Sequence, residues 1–73
     1  MFGGDPEEGI QIMQKALAAG TAERDDLFNI YLGLGLAYGK LKKHQAEQEW
    51  LLQALQLYSR NIFAQREYER ACR

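Results

Sequence analysis

From Leu27 to Leu41 the chain places Leu27, Phe28, Ile30, Tyr31, Leu32, Leu34, Leu36, Ala37, Tyr38 and Leu41 on nearly every face of a helical wheel. A surface helix carries one apolar stripe, whereas a helix that is apolar all round has to be covered on more than one side. The segment therefore predicts a central helix with neighbours on several faces. Within it, Gly33, Gly35 and Gly39 each cost roughly 1 kcal/mol against alanine in a helix interior. Close approach of the neighbouring helices is the most economical reason to keep them. The longest near-continuous apolar run, Ile30 to Tyr38, falls well short of the ~18 residues that cross a bilayer, so no membrane span is expected. The start, Met1-Phe2-Gly3-Gly4-Asp5-Pro6, has neither the basic nor the apolar region of a secretory leader, and no secretion is expected.

Signals on either side supply the neighbours. Asp5-Pro6-Glu7-Glu8 combines an oxygen-bearing cap, a proline where no N–H is needed and acids at the positive end of the helix dipole. A first helix is predicted over 6–19, with Ile10, Met13 and Leu17 as its apolar stripe, Ile12, Ala16 and Ala19 beside them, and Gly20 as the stop. Thr21 caps a central helix over 22–41, with Glu23, Asp25 and Asp26 in its first turns. A third helix over 44–58 carries Ala46, Trp50, Leu51, Ala54, Leu55, Leu57 and Tyr58 as one broad stripe. Asn61 caps a fourth helix, and that element over 61–72 reads as a lid with a solvated outer face.

A chain of 73 residues is one small domain and hides only about 60% of the surface its unfolded form exposes. Apolar residues at 47% and charged residues at 26% exclude a disordered or collagen-like class. Cys72 is the single cysteine, so no internal disulfide staples the fold, and a reducing, cytoplasmic setting is expected. The net charge of −1 conceals an asymmetry: residues 1–30 hold six acids and two bases, while residues 31–73 hold four acids and seven bases. One end is acidic and the other basic.

The residues that carry chemistry in other chains do not assemble here. Gly33, Gly35 and Gly39 before Lys40 imitate a phosphate loop, but Leu34 stands where that pattern needs its first glycine and Leu41 where it needs Ser or Thr. His44 is the only histidine and lies far in sequence from Cys72, so no zinc ligand set is expected, and His44 reads as an exposed first-turn residue. Ser59, Thr21 and Cys72 share that one candidate base, which leaves no nucleophile triad. Glu23, Asp25 and Asp26 lack the glycine and spacing of a calcium loop. Arg60, Arg66, Arg70 and Arg73, with Lys42 and Lys43, make the C-terminal side basic, yet Glu67 and Glu69 interleave with them, short of the basic excess of a nucleic-acid binder. The expectation is a noncatalytic protein without cofactor, metal or nucleic acid.

An internal repeat points to the class. Gln14-Lys15-Ala16-Leu17 recurs as Leu52-Gln53-Ala54-Leu55, and at the same offset of 38 residues Ile12 pairs with Trp50, Met13 with Leu51 and Ala19 with Leu57. A helical period in this range points to an α-solenoid. Tyr31, Leu34-Gly35, Ala37-Tyr38 and Lys40-Leu41, followed by Ala54-Leu55, resemble the tetratricopeptide repeat, and residues 4–17 resemble the second helix of a preceding repeat. The resemblance covers about residues 4–58. It departs from the family at three points: the offset exceeds the usual 34, Glu47 stands where a small residue normally faces Gly35, and Ser59 replaces a helix-ending proline. The fold it implies is all-α, antiparallel helical hairpins of a solenoid with about four helices, amounting to one and a half repeats and a terminal helix. Such a chain is expected either to continue a longer array or to end in a small capped one.

The resemblance also implies a binding surface at Asn29, Leu32, Gly33, Leu36, Gly39 and Lys40. Family members that grip a C-terminal carboxylate carry Lys, Arg and Asn at such positions, whereas Leu32, Gly33 and Leu36 make this surface apolar. The expected partner is an amphipathic helix or hydrophobic peptide of another protein; equally, a neighbouring helix would bury the same face. The alternative expectation is a structural unit that stacks head to tail through its acidic and basic ends.

Overall fold

The computed structural model describes residues 5–20 and 23–72. They form four helices, α1 (Pro6–Ala19), α2 (Arg24–Lys40), α3 (His44–Leu57) and α4 (Ile62–Ala71), and no strand occurs among the described residues. The architecture is all-α, with each helix antiparallel to the next. α2 packs most extensively on α3 and also on α1, α4 lies on α3 with a small contact to α2, and α1 and α4 do not touch.

The local signals act as expected. Asp5 caps α1, its side chain accepting from the Glu7 N–H at 3.0 Å, and Gly20 ends the helix at φ 82°, a left-handed conformation that favours glycine. Asn61 caps α4 by accepting from the Ala64 N–H at 2.9 Å. The central helix starts at Arg24 with Glu23 as its N-cap, while the expected cap Thr21 and first residue Ala22 lie outside the described residues. The third and fourth helices are shorter than expected by their terminal residues, because Tyr58, Asn61 and Cys72 act as caps.

The turn from α2 to α3 was not foreseen in detail. Lys42 takes φ 61°, the Lys42 N–H donates to the Gly39 carbonyl at 3.0 Å, and the Lys43 N–H donates to the Tyr38 carbonyl at 3.0 Å. This is a Schellman ending with lysine at the position usually given to glycine. It turns the chain within three residues and sets the register in which α3 returns along α2.

The glycines of α2 explain the packing. A Cβ on Gly35 would lie 2.7 Å from Leu51 Cγ and 3.4 Å from the Glu47 carbonyl oxygen, and one on Gly33 would lie 2.6 Å from Met13 Sδ. Gly35 thus admits α3, and Gly33 admits α1 from another side. Gly39 admits the side chain of Glu47, whose Cδ would stand 2.8 Å from a Cβ there. Glu47 therefore presents its backbone to Gly35 and its carboxylate to Gly39. Leu34 and Leu51 are fully buried, each worth ~1.5–3 kcal/mol over exposure. Around them lie two clusters, Ile10–Leu34–Ala37 between α1 and α2 and Phe28–Ala54–Ala64 across α2, α3 and α4.

Two alanine substitutions separate helix propensity from packing. Gly35→Ala gains roughly 1 kcal/mol of propensity but drives a methyl into Leu51, where overpacking costs about 1–3 kcal/mol. Gly9→Ala places its methyl 3.8 Å from the flexible Met13 Cε, an ordinary contact, and keeps the propensity gain. Urea unfolding should therefore show Gly9→Ala at or above wild type and Gly35→Ala below it. The reverse order would refute the close-approach explanation.

Candidate functional site

The first half of α1 and the second half of α2 enclose a groove of about 630 Å³. Asp5, Pro6, Glu8, Gly9 and Ile12 form one wall, and Gly33, Leu36, Ala37 and Lys40 form the other. Helical spacing produces both walls: Asp5, Glu8 and Ile12 succeed one another along a face of α1, as Gly33, Leu36 and Lys40 do along α2. The core-facing residues Ile10, Met13 and Leu17 lie around the helix from that row and hold α1 against Leu34 and Ala37. A hydrogen bond from Gln14 Nε2 to the Tyr38 hydroxyl, 3.3 Å, joins the same two helices.

Ile12 is 61% exposed, although it is the largest apolar side chain on its wall. Leu36 is half-buried opposite it. Carboxylates of Asp5 and Glu8 rim the α1 side and the ammonium of Lys40 the α2 side. The groove thus presents an apolar floor with rims of opposite charge. It offers shape and electrostatic selection rather than a reacting group.

The expected surface divides in two. Gly33, Leu36 and Lys40 line the groove, and Asn29 is exposed one turn before Gly33. Leu32 instead packs against the Phe28–Ala54–Ala64 cluster, and Gly39 faces Glu47. The helix-wheel reading missed the α1 wall. Its signal was the row Glu8, Ile12, Ala16, Ala19, which diverges from the core stripe although three of its four members are apolar.

The repeat-related helices differ in cover. Ala54 is fully buried while its counterpart Ala16 is exposed. Trp50 is half-buried, its ring 5.7 Å from that of Tyr31, while Ile12 projects into solvent. Among the described residues α3 lies between α2 and α4, whereas α1 packs on α2 alone.

Two pairs of ionisable groups outside the groove are engaged in local structure. His44 Nδ1 is 3.1 Å from Glu47 Oε1, and Arg70 pairs with Glu67 at 3.4 Å. Among the described residues no group of three His, Cys, Asp or Glu is placed to hold a metal ion. None of the helices is long and apolar enough to cross a membrane. The Tyr58 hydroxyl donates to Asp25, and Phe28 meets the Tyr58 ring edge-on at 5.1 Å, which fixes the end of α3 beside the start of α2. In comparisons with known proteins, no family model, curated protein or solved structure matches the chain.

That tyrosine contact has a pH signature. The hydrogen bond to Asp25, with burial and the carboxylate charge adding to it, holds the Tyr58 phenol above 10.0. A hydrogen bond to Cys72, then the thiolate charge, raises Tyr68 as well. Both protons bind more tightly in the folded chain, so their stabilisation is complete below pH 10.0 and is lost as pH rises through the folded values. The melting temperature should fall above that pH, and less steeply in Tyr58→Phe. Parallel curves for the two proteins would contradict the assigned contact.

Proposed function

We propose that this chain is a noncatalytic helical-repeat module, similar to the tetratricopeptide repeat, that binds an amphipathic helix of a protein partner in the α1–α2 groove. The single observation that carries the reading is the exposed Ile12 facing Leu36 across the groove. Covering one such side chain contributes ~1.5–3 kcal/mol, and a helix laid along the groove would reach both walls with residues spaced three and four apart. Asp5 and Glu8 favour a partner with Lys or Arg along one edge, and Lys40 favours an acid along the other.

The tetratricopeptide likeness supports the reading through the Leu34-Gly35 pair. Leu34 is fully buried and Gly35 abuts Leu51, which is the packing that such a hairpin requires. A scaffolding role in the cytoplasm fits the exposed free thiol of Cys72 and a fold built on packing without an internal disulfide. Asn29, Gly33, Leu36 and Lys40 would contribute the α2 side of the contact, with Leu32 and Gly39 supporting it from behind.

Titrating the isotope-labelled chain with a synthetic Leu/Lys amphipathic helix should shift amide resonances along Gly9, Ile12, Gly33 and Leu36. In Leu36→Glu the shifts should vanish, with helicity by circular dichroism unchanged and affinity reduced at least about tenfold, the ~1.4 kcal/mol equivalent of losing half of a buried leucine. Shifts that lie elsewhere, or that survive the substitution, would overturn the groove assignment.

A further inference from the structure

Resting on that groove reading, we infer that Met13 is the residue that sets which partner the groove accepts. Its thioether end is a movable floor between Gly9 and Gly33, and the groove selects its occupant by the size of one apolar anchor side chain.

The two glycines of the opposing walls locate the floor. Gly9 on α1 and Gly33 on α2 both line the groove. A Cβ on Gly33 would lie 2.6 Å from Met13 Sδ and 3.5 Å from Met13 Cε, and one on Gly9 would lie 3.8 Å from the same Cε. Apart from chain neighbours and the backbone of each glycine's own helix, Met13 is the only described residue within 4 Å of either place. The end of this one side chain therefore occupies the space that both glycines leave open.

The internal repeat supplies the contrast. Leu51, 38 positions after Met13, fills the equivalent space at Gly35 and is fully buried. A Cβ on Gly35 would meet the Leu51 branch point at 2.7 Å, with the Glu47 carbonyl oxygen at 3.4 Å. A branched side chain set beside backbone in a close-packed interior has no room to move. At Gly33 only Sδ and Cε are met, the last atoms of an unbranched side chain with three rotatable bonds. Met13 is half-buried and packs against the Ile10–Leu34–Ala37 cluster, so its base is held while its end can swing.

Selection by size follows. The charged rims of the groove orient a partner helix along its edges and are indifferent to the side chain that points between Gly9 and Gly33. That side chain meets the thioether. A small anchor leaves Met13 in place, whereas a large one has to displace it and forfeit its contact with Gly33. One methylene in an apolar pocket discriminates by about 10–200-fold, so the position of two heavy atoms is enough to choose among partners.

The test gives the synthetic Leu/Lys helix one central anchor position, filled by Ala or by Phe, and titrates both peptides against wild type, Met13→Ala and Gly33→Ala. The readout is the ratio of the two affinities, because a less stable chain binds both peptides more weakly by the same factor. Met13→Ala removes the thioether and leaves a hollow, so the Phe-over-Ala ratio should rise at least about tenfold. Gly33→Ala adds a methyl that pushes the thioether toward the groove mouth, so the ratio should fall below that of wild type. A ratio that holds or moves the other way in either folded variant overturns the role of Met13 and leaves the groove reading standing. If Met13→Ala does not fold, Gly33→Ala decides alone by the same criterion. If neither peptide shifts the Gly9, Ile12, Gly33 and Leu36 resonances of the wild-type chain, the groove reading fails and this inference with it.

Discussion

The approach of α3 to α2 at Gly35 is the contact on which the remaining packing depends. With a hydrogen in place of a methyl, Leu51 reaches the α2 backbone and is fully buried. That approach brings Ala54 within reach of Phe28, and the resulting surface seats Ala64 and with it α4. On the other side of α2, Leu34 is fully buried beside Ile10 and Ala37, which anchors α1. Gln48 then ties α3 to the far end of α4, donating from Nε2 to the Ala71 carbonyl at 2.7 Å. A small chain with no cross-link draws its stability from such tightly fitted contacts, because it has little area to bury.

Much of this order is legible in the amino-acid sequence. A helix that is apolar on every side and carries three glycines announces that it is surrounded, and Asp5-Pro6, Gly20 and Asn61 mark helix ends through their own hydrogen-bonding and backbone preferences. The direction in which each glycine faces is not legible, because it depends on how far α1 and α3 rotate around α2. Leu32 and Gly39 share a wheel sector with Leu36 by spacing, yet the tertiary contacts turn them to the Phe28–Ala54–Ala64 cluster and to Glu47. Lys42 gives no compositional warning of its left-handed backbone, since hydrogen bonds on either side impose it. The α1 wall was hidden because a single exposed isoleucine beside a good core stripe looks like part of that stripe.

The charge asymmetry acquires a location in the structure. Acids gather where α1 begins, and Lys40, Lys42 and Lys43 gather at the turn from α2 to α3, whereas on α4 Arg66 and Arg70 are balanced by Glu67 and Glu69. Exposed carboxylates and guanidinium groups contribute little to folding, so this separation bears on association more than on stability. The groove combines the acidic start of α1 with the exposed Ile12, and on α4 the exposed Ile62 and Phe63 stand at the opposite end of the helix from Arg70.

The three-residue reversal at Lys42 also bears on how the molecule assembles itself. Because α2 and α3 are joined so tightly and share the largest interface, their hairpin requires the least loop closure and is the natural early structure on the folding route. α1 and α4 dock onto that hairpin from opposite ends, each held mainly by one neighbour. They are therefore the units with the lowest free energy of local opening. One wall of the groove rides on such a unit, so the width of the groove is governed by an opening equilibrium distinct from global unfolding, and whatever settles between α1 and α2 also locks α1 in place.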